Sequence, residues 1–456
     1  MNLRHKSELV TSDKVFIRRE RLKSMRLSTL EGSFAVVMVA IIEAFYVPYL
    51  HAMGASALEI GLAVGLPALA ASLVQAYSLT SLKKAGSRKK LITITALVQA
   101  ICFIPFALMC YVHGNWGIWG AIVFFLLLST AGNLGAAPWA DWMGHIVPKR
   151  RHGKYFANRN RILGLIQLAI AIIASFLLDH SAGKVMMMFS LIWFSCFAAR
   201  TISGLLFIWM YEPPAAIEEP KQAGGFLDFI KSLPRTNFGT FTLATSLLNL
   251  AVNFSAPFFA VHMLMNLKLS YVGYTVLTVT ATAAIVGSIG LWGRIIDRFG
   301  AITAMRFCTL GITLLPLPWV VTENYWILMG VQIFSGFCWS GFNLGFFVYY
   351  LNFQGNIPRI TSISYFNTIN FFCIFAGATL GGLLGPCLPT IAKYQLQTIF
   401  VASVLMRIVP AILFQCVKIE KHPQKFTPIE RLFFDPDLNI HLGIARSVLR
   451  LFKRNI

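Results

Sequence analysis

Twelve stretches of this 456-residue chain are apolar enough and long enough to cross a bilayer. They cover residues 29–51, 58–82, 91–112, 117–142, 162–180, 185–211, 238–264, 271–295, 303–322, 325–352, 361–385 and 396–417. A hydrocarbon core of about 30 Å takes roughly 20 helical residues to span. No water reaches the backbone there, so each run must satisfy its own N–H and C=O groups and is read as a helix. The fold class that follows is an all-α polytopic membrane protein. Composition agrees: 57% of residues are hydrophobic and 12% charged, against about 25% charged in soluble domains. So little charge cannot cover a soluble surface. The same figures exclude a disordered chain, a collagen-like chain and a disulfide scaffold. No signal peptide is expected, because the basic N-terminal stretch leads into a span too long for a signal-peptide core.

The charge is lopsided, with 39 Lys and Arg against 18 Asp and Glu, a net +21. A nucleic-acid partner would need a continuous basic face. Here the basic residues sit in short clusters between spans, which is the positive-inside pattern of a protein whose partner is the lipid bilayer. Thirty-four of the 39 fall in the two tails and the connections on their side. The alternate connections carry Lys184, Lys268 and Lys393. Both termini are therefore expected in the cytoplasm, with the protein in a bacterial inner (plasma) membrane. The eight cysteines lie inside apolar runs without a CxxC, and no metal-ligand spacing appears, so neither metal nor cofactor is expected. The sequon Asn253-Phe254-Ser255 lies within an apolar run and carries no meaning.

The longest internal connection, Tyr211 to Asn237, holds Pro213, Pro214, Pro220 and Gly224-Gly225, and reads as a linker. It divides the chain into a basic tail (1–28), a six-helix bundle (29–211), a linker (212–237), a second six-helix bundle (238–417) and a tail (418–456). In the last, Leu442, Ala445, Val448, Leu449 and Phe452 oppose Arg446, Arg450, Lys453 and Arg454, the pattern of an interfacial helix. The halves repeat. Asn133-Leu134-Gly135 recurs as Asn343-Leu344-Gly345, Pro148-Lys149 as Pro358-Arg359, Tyr155-Phe156 as Tyr365-Phe366 and Asn160 as Asn370, all at an offset of 210. Pro48 matches Pro257 at 209, and Arg200 matches Arg407 at 207. Six spans per half make this a parallel repeat, related by an axis along the membrane normal.

Between spans 8 and 9 stands Gly293-Arg294-Ile295-Ile296-Asp297-Arg298-Phe299-Gly300. It resembles the G-x3-D-R-x-G loop signature of the major facilitator superfamily, although Ile302 and Thr303 replace the usual basic pair. The 2–3 loop keeps Arg88 and Lys89 but has Leu79 in place of Gly and Lys83 in place of Asp. Arg151-His152-Gly153-Lys154-Tyr155-Phe156, with Arg159-Asn160-Arg161, is similar to the basic 4–5 loop of bacterial members. The resemblance implies a 6+6 secondary transporter with alternating access, in which helices 1, 4, 7 and 10 line a cavity and helices 3, 6, 9 and 12 brace it. It also implies a gating loop of Gly293, Asp297, Arg298 and Gly300, with Asp297 latching toward helix 5, where Arg159 and Arg161 add charge pairing.

No G-x4-G-K-[ST] loop is present, so ATP is not the drive, and nothing supports an enzyme. An ionisable group at the membrane centre costs about 2.5–3.5 kcal/mol on insertion scales, so each one in a span asks for a reason. Glu43 in span 1 is the candidate proton carrier, or else a member of a fixed structural pair. Arg200 in span 6 and Arg407 in span 12 read as ties between helices through amides or carbonyls, the alternative being an anionic substrate group. The substrate-cavity candidates are Tyr46, Asn133, Asn249, Asn253, Trp339, Asn343 and Asn370, whose amides can bind solute or join helices. In span 4 Asn133, Ala137 and Asp141 share a face, and in span 10 Trp339, Asn343, Phe346 and Tyr350 form another. The leading expectation is a monomeric, proton-coupled permease for a small polar organic solute. The alternatives left open are a drug or metabolite efflux permease and a non-transporting membrane sensor on the same scaffold.

Overall fold

A computed structural model describes residues 2–148, 152–213, 226–352, 359–391 and 393–418. Lys149, Arg151, Pro358, most of the linker and the C-terminal amphipathic face lie outside the described residues. The twelve long helices are α1 (Asn2–Ala52), α2 (Ala57–Ala85), α3 (Arg88–Leu108), α4 (Asn115–Ile146), α5 (His152–Asp179), α6 (Val185–Leu206), α7 (Asn237–Val261), α8 (Tyr271–Phe299), α9 (Ala301–Leu314), α10 (Tyr325–Asn352), α11 (Arg359–Leu384) and α12 (Gln395–Cys416). Twelve helical segments are long and apolar enough to cross a membrane, and the described residues contain no strand.

Three helices depart from the sequence expectation, α5 among them, since it begins at His152, ten residues before the expected start at 162. The basic tail before residue 29 is the beginning of α1, whose 51 residues reach about 76 Å at 1.5 Å per residue. No Gly or Pro interrupts residues 2–31, and Arg, Lys, Glu and Leu are good helix formers. The ninth span instead breaks after Leu314 and resumes as the one-turn helix Pro318–Val321. Pro316 and Pro318 lack the N–H donors a continuous helix needs there, and Pro318 sits at the first position of the new turn.

The ends are capped by specific side chains. Glu212, at the head of the linker, accepts from Ser87 Oγ (2.6 Å) and from the Arg88 amide (2.7 Å), so a carboxylate meets the positive end of α3. Ser56 and Glu59 form a reciprocal cap before α2. Between α8 and α9 the chain turns on Gly300 alone, at φ +86°, a conformation that glycine adopts without a Cβ penalty.

Two compact units result: Met1–Ala55 with Ala70–Glu219, and Ser56–Leu69 with Pro220–Ile456. In the first, α3 packs on α4 and α6, and α1 on α5 and α6. In the second, α9 packs on α10 and α12, and α7 on α11 and α12. Adding six to each helix number converts the first set into the second, so the sequence repeat is also a packing repeat. The early part of α2 groups with the second unit rather than with the first bundle. Gly61 and Gly382 permit this, since a Cβ at either would strike the backbone oxygen of Ala378 or Ala57.

Candidate functional site

In the first unit Glu43 lies on α1 with its side chain exposed. Gln167 Nε2, on α5, donates to its Oε2 at 2.7 Å. The partner is a neutral amide. Among the described residues no cation pairs with Glu43. Sequence reasoning selected Glu43 but not Gln167, a polar residue in a span with nothing local to mark it. Asn133 donates back to Ser129 O of its own helix at 2.9 Å, leaving its Oδ1 as an acceptor. Tyr46 is packed rather than open. Its ring stacks on Phe125 with centroids 3.7 Å apart and neighbours Phe106. It belongs to an aromatic cluster with Tyr49, Phe103, Phe189 and Trp193 that α1 shares with α3, α4 and α6.

Arg200 stands at the middle of a chain of contacts. Its Nε and Nη2 donate to Gln99 Oε1 at 3.0 and 2.6 Å, and its Nη1 donates to Ser203 Oγ at 2.8 Å. Gln99 Nε2 in turn donates to Leu128 O at 3.1 Å. Ser203 Oγ donates to Glu31 Oε1 at 2.8 Å. Glu31 lies 3.7 Å from Arg200 Nη1 and, through Oε2, 3.6 Å from Arg159 Nη2. One network thus joins α4, α3, α6, α1 and α5. Two glycines make room for it. A Cβ at Gly132 would meet the Gln99 amide, and one at Gly32 would meet the Arg159 guanidinium. Arg200 thus meets the amide of Gln99 on α3. Glu31 was missed because it sits two residues inside the expected span boundary, where it reads as a rim residue.

The network also engages Arg159, which faces Glu31, donates to Ser28 O (3.3 Å) and lies over the Trp139 ring (4.9 Å). Arg161 is exposed and not so committed. Asp141, expected on the polar face of α4, takes Arg88 Nε at 2.5 Å.

In the second unit Asn249 Nδ2 donates to Asn370 Oδ1 at 2.8 Å, joining α7 to α11. Asn253 Nδ2 donates to Asn249 O at 2.8 Å, so these three candidates form one polar seam. On α10 Trp339 meets Phe342 edge-on, and Asn343 is exposed. Arg407 is 3% exposed and bonds to Ile312 O (2.7 Å), Ser403 Oγ (3.1 Å) and Ser255 Oγ (3.2 Å). It ties α12 to α9 and α7 through neutral acceptors, with no carboxylate among the described residues. In the gating loop Asp297 and Arg298 are exposed at the end of α8, the Arg298 guanidinium lies over the Phe299 ring, and Gly293 borders open space.

Outside the spans, Lys393 Nζ donates to both Glu323 oxygens at 2.8 and 3.1 Å. Those hydrogen bonds hold the Glu323 carboxyl below the usual carboxylate range and Lys393 above its own. Among the described residues no three His, Cys, Asp or Glu side chains gather as a metal centre.

Twelve spanning helices, a packing repeat of six and six, and polar side chains inside each bundle define a polytopic membrane transporter fold. The chain matches the Major Facilitator Superfamily over residues 32–378. It belongs to that family. Among solved structures it is similar to the nucleoside transporter NupG, with 15% identity and TM-score 0.64, over 87% of this chain and 99% of that one. It is similar to the D-xylose–proton symporter at 14% identity and TM-score 0.63, over 86% and 96%. A bacterial homologue of the iron transporter ferroportin, in an inward-facing state, matches at 12% identity and TM-score 0.68, over 86% and 98%. At these identities the likeness is one of fold. No curated protein matches the chain.

Proposed function

We propose that the chain is a proton-coupled secondary transporter that carries a small polar organic solute by alternating access. In this reading it resides in a bacterial inner (plasma) membrane with both termini in the cytoplasm. What supports the coupling is Glu43: a carboxylate in a span whose hydrogen-bond partner is the neutral Gln167 amide. A carboxylate paired to a cation leaves an uncompensated charge when it takes a proton. Glu43 leaves none. A Gln side chain donates through its NH2 and accepts through its C=O, so after an amide rotation it can serve the protonated acid as well as the anion. That is the requirement for a group that loads and unloads a proton in low dielectric.

The solute class is read from the amides. Asn249, Asn253 and Asn370 form a seam with no charge in it, and Asn133 and Asn343 add acceptors and donors at the same repeat position. Amides of this kind complement hydroxyl and amide groups of a solute. The reading is tested by counterflow in proteoliposomes, with labelled sugars, nucleosides and amino acids screened at two pH values. It expects exchange of at least one of these classes, weakened in Asn249→Ala. Absence of exchange across all of them would count against it.

A further inference from the structure

Glu31 is the one carboxylate buried among the described residues, 3% exposed, and holding Arg200 does not require it. Arg407 occupies the matching place in the second unit, is more deeply buried than Arg200, and is held by two serine hydroxyls and a carbonyl. Arg200 already has a neutral set of the same kind in Gln99 and Ser203. The repeat therefore supplies its own control: Glu31 has been added to a guanidinium site that is satisfied without it.

Its pairing is loose. The guanidinium nitrogens lie at 3.6 and 3.7 Å, beyond the roughly 2.7–2.9 Å of a charge-assisted hydrogen bond. Its short contact is the Ser203 hydroxyl on Oε1, while Oε2 accepts no hydrogen bond from the described residues. Toward the basic end of α1, Ser28 and Ser24 follow at spacings of three and four, on the face that carries Glu31. Both are fully buried. Ser24 Oγ accepts the Tyr211 amide, whereas Ser28 Oγ has no hydrogen-bond partner. A buried hydroxyl without a partner, about one helical turn from a carboxylate oxygen without a donor, marks a place for water and a route for a proton.

We propose that Glu31 is a proton-binding site, separate from Glu43, loaded along the Ser24–Ser28 line, and that its protonation loosens the join of α1 to α5 and α6. A hydronium ion passes its proton to Oε2, which becomes an O–H, and a water molecule is released. The two ion pairs lose their negative member. Neither guanidinium is orphaned, since Arg200 keeps Gln99 and Ser203, and Arg159 keeps Ser28 O and Trp139. The charged groups facing the site are Arg159 from α5, Arg200 from α6 and, farther along the same face of α1, Arg21. The sides toward α3 and α4 present the neutral Gln99 and Trp139. The inference stands without any reading of the solute.

The test is pH-difference infrared spectroscopy on the full chain in lipid, with the proton as the only ligand. Acidification of the wild type should raise a carboxylic C=O band that is absent in Glu31→Gln and present in Glu43→Gln. Ser203→Ala should keep the band and shift it upward, because the hydroxyl donating to Glu31 is gone. Glu31→Asp provides a second variant, with the band displaced rather than lost, should Glu31→Gln fold poorly. Ser28→Ala should keep the band but slow its appearance after a pH jump. If every band survives in both Glu31 variants and Ser203→Ala shifts nothing, Glu31 stays ionised and the proposal falls. An unchanged rate in Ser28→Ala would remove the serine route. Loss of the Glu43 band alone would bear on the coupling reading above and not on this site.

Discussion

At the scale of single residues, buried charge follows the rule that it must be compensated, but the two units meet it differently. Removing Arg200 leaves Glu31 buried with the Ser203 hydroxyl and one loose cation, Arg159, and breaking a buried pair costs about 3–5 kcal/mol. Removing Arg407 leaves the Ile312 carbonyl short of a donor, about 1–3 kcal/mol, while Ser255 and Ser403 keep their bonds to one another and to Ala251 O. Arg200→Met should therefore lower the melting temperature more than Arg407→Met, and adding Glu31→Gln should recover part of the Arg200 loss. Melts of the purified proteins in one lipid check the order, and the reverse order would contradict it. Glu323 and Lys393 give a pH prediction. The depressed Glu323 contributes stability above its unfolded pKa, lost as pH falls through its lowered folded value. Lys393, raised, contributes below its unfolded pKa, lost as pH rises through its folded value. Both are exposed, so Lys393→Gln should return Glu323 to the ordinary carboxylate range in a carbon-13 titration while barely moving the melt. Glu43, Arg200 and Arg407 were legible in the sequence as charges inside apolar runs. Glu31 and Gln167 were not, because their partners lie 124 residues or more away in the chain.

At the scale of elements, the spans other than the starts of α1 and α5 were legible from hydropathy to within a few residues, since lipid forces each run to satisfy its own backbone. What escaped was set by local stereochemistry. α1 continues through a charged segment because nothing there stops a helix, and the ninth span breaks because two prolines do. Caps also depend on distant chain. Arg306, near the start of α9, donates to the carbonyls of Phe414, Gln415 and Val417 at the end of α12, where a cation suits the helix dipole. Arg306→Ala should cost about 1–3 kcal/mol and raise hydrogen exchange in the last turn of α12 while sparing its middle. Uniform exchange along α12 would show that the cap does not hold that end.

At the scale of the whole molecule, the offset of 210 residues predicted which helices correspond, and four helix pairs recur in both units, whereas the packing of α8 on α10 has no α2–α4 counterpart among the described residues. The grouping of residues Ser56–Leu69 with the second unit could not be read from hydropathy, which is blind to where glycines allow backbones to meet. Topology is the prediction proper to this scale. In a cysteine-free background, single cysteines at Lys268 or Lys393 should react with an impermeant reagent added outside, and one at Arg151 should not. Outside labelling at Arg151 would overturn the orientation. The amides of α4, α7, α10 and α11 were legible one by one. Their pairing across α7 and α11 was not, because which polar faces meet is decided by packing.

The central claim is coupling of solute to protons through Glu43. Each proton moving inward adds about 2.3 kcal/mol per 100 mV of membrane potential, enough for roughly 45-fold accumulation when one proton accompanies one solute. The direct measurement is proton movement itself, followed with an external pH dye when a transported solute is added to proteoliposomes held at zero potential without a pH gradient. The expected result is external alkalinisation with solute entry in the wild type, and in Glu43→Gln no alkalinisation while solute still exchanges across the membrane. Solute entry without any proton movement, or alkalinisation undiminished in Glu43→Gln, would contradict the account.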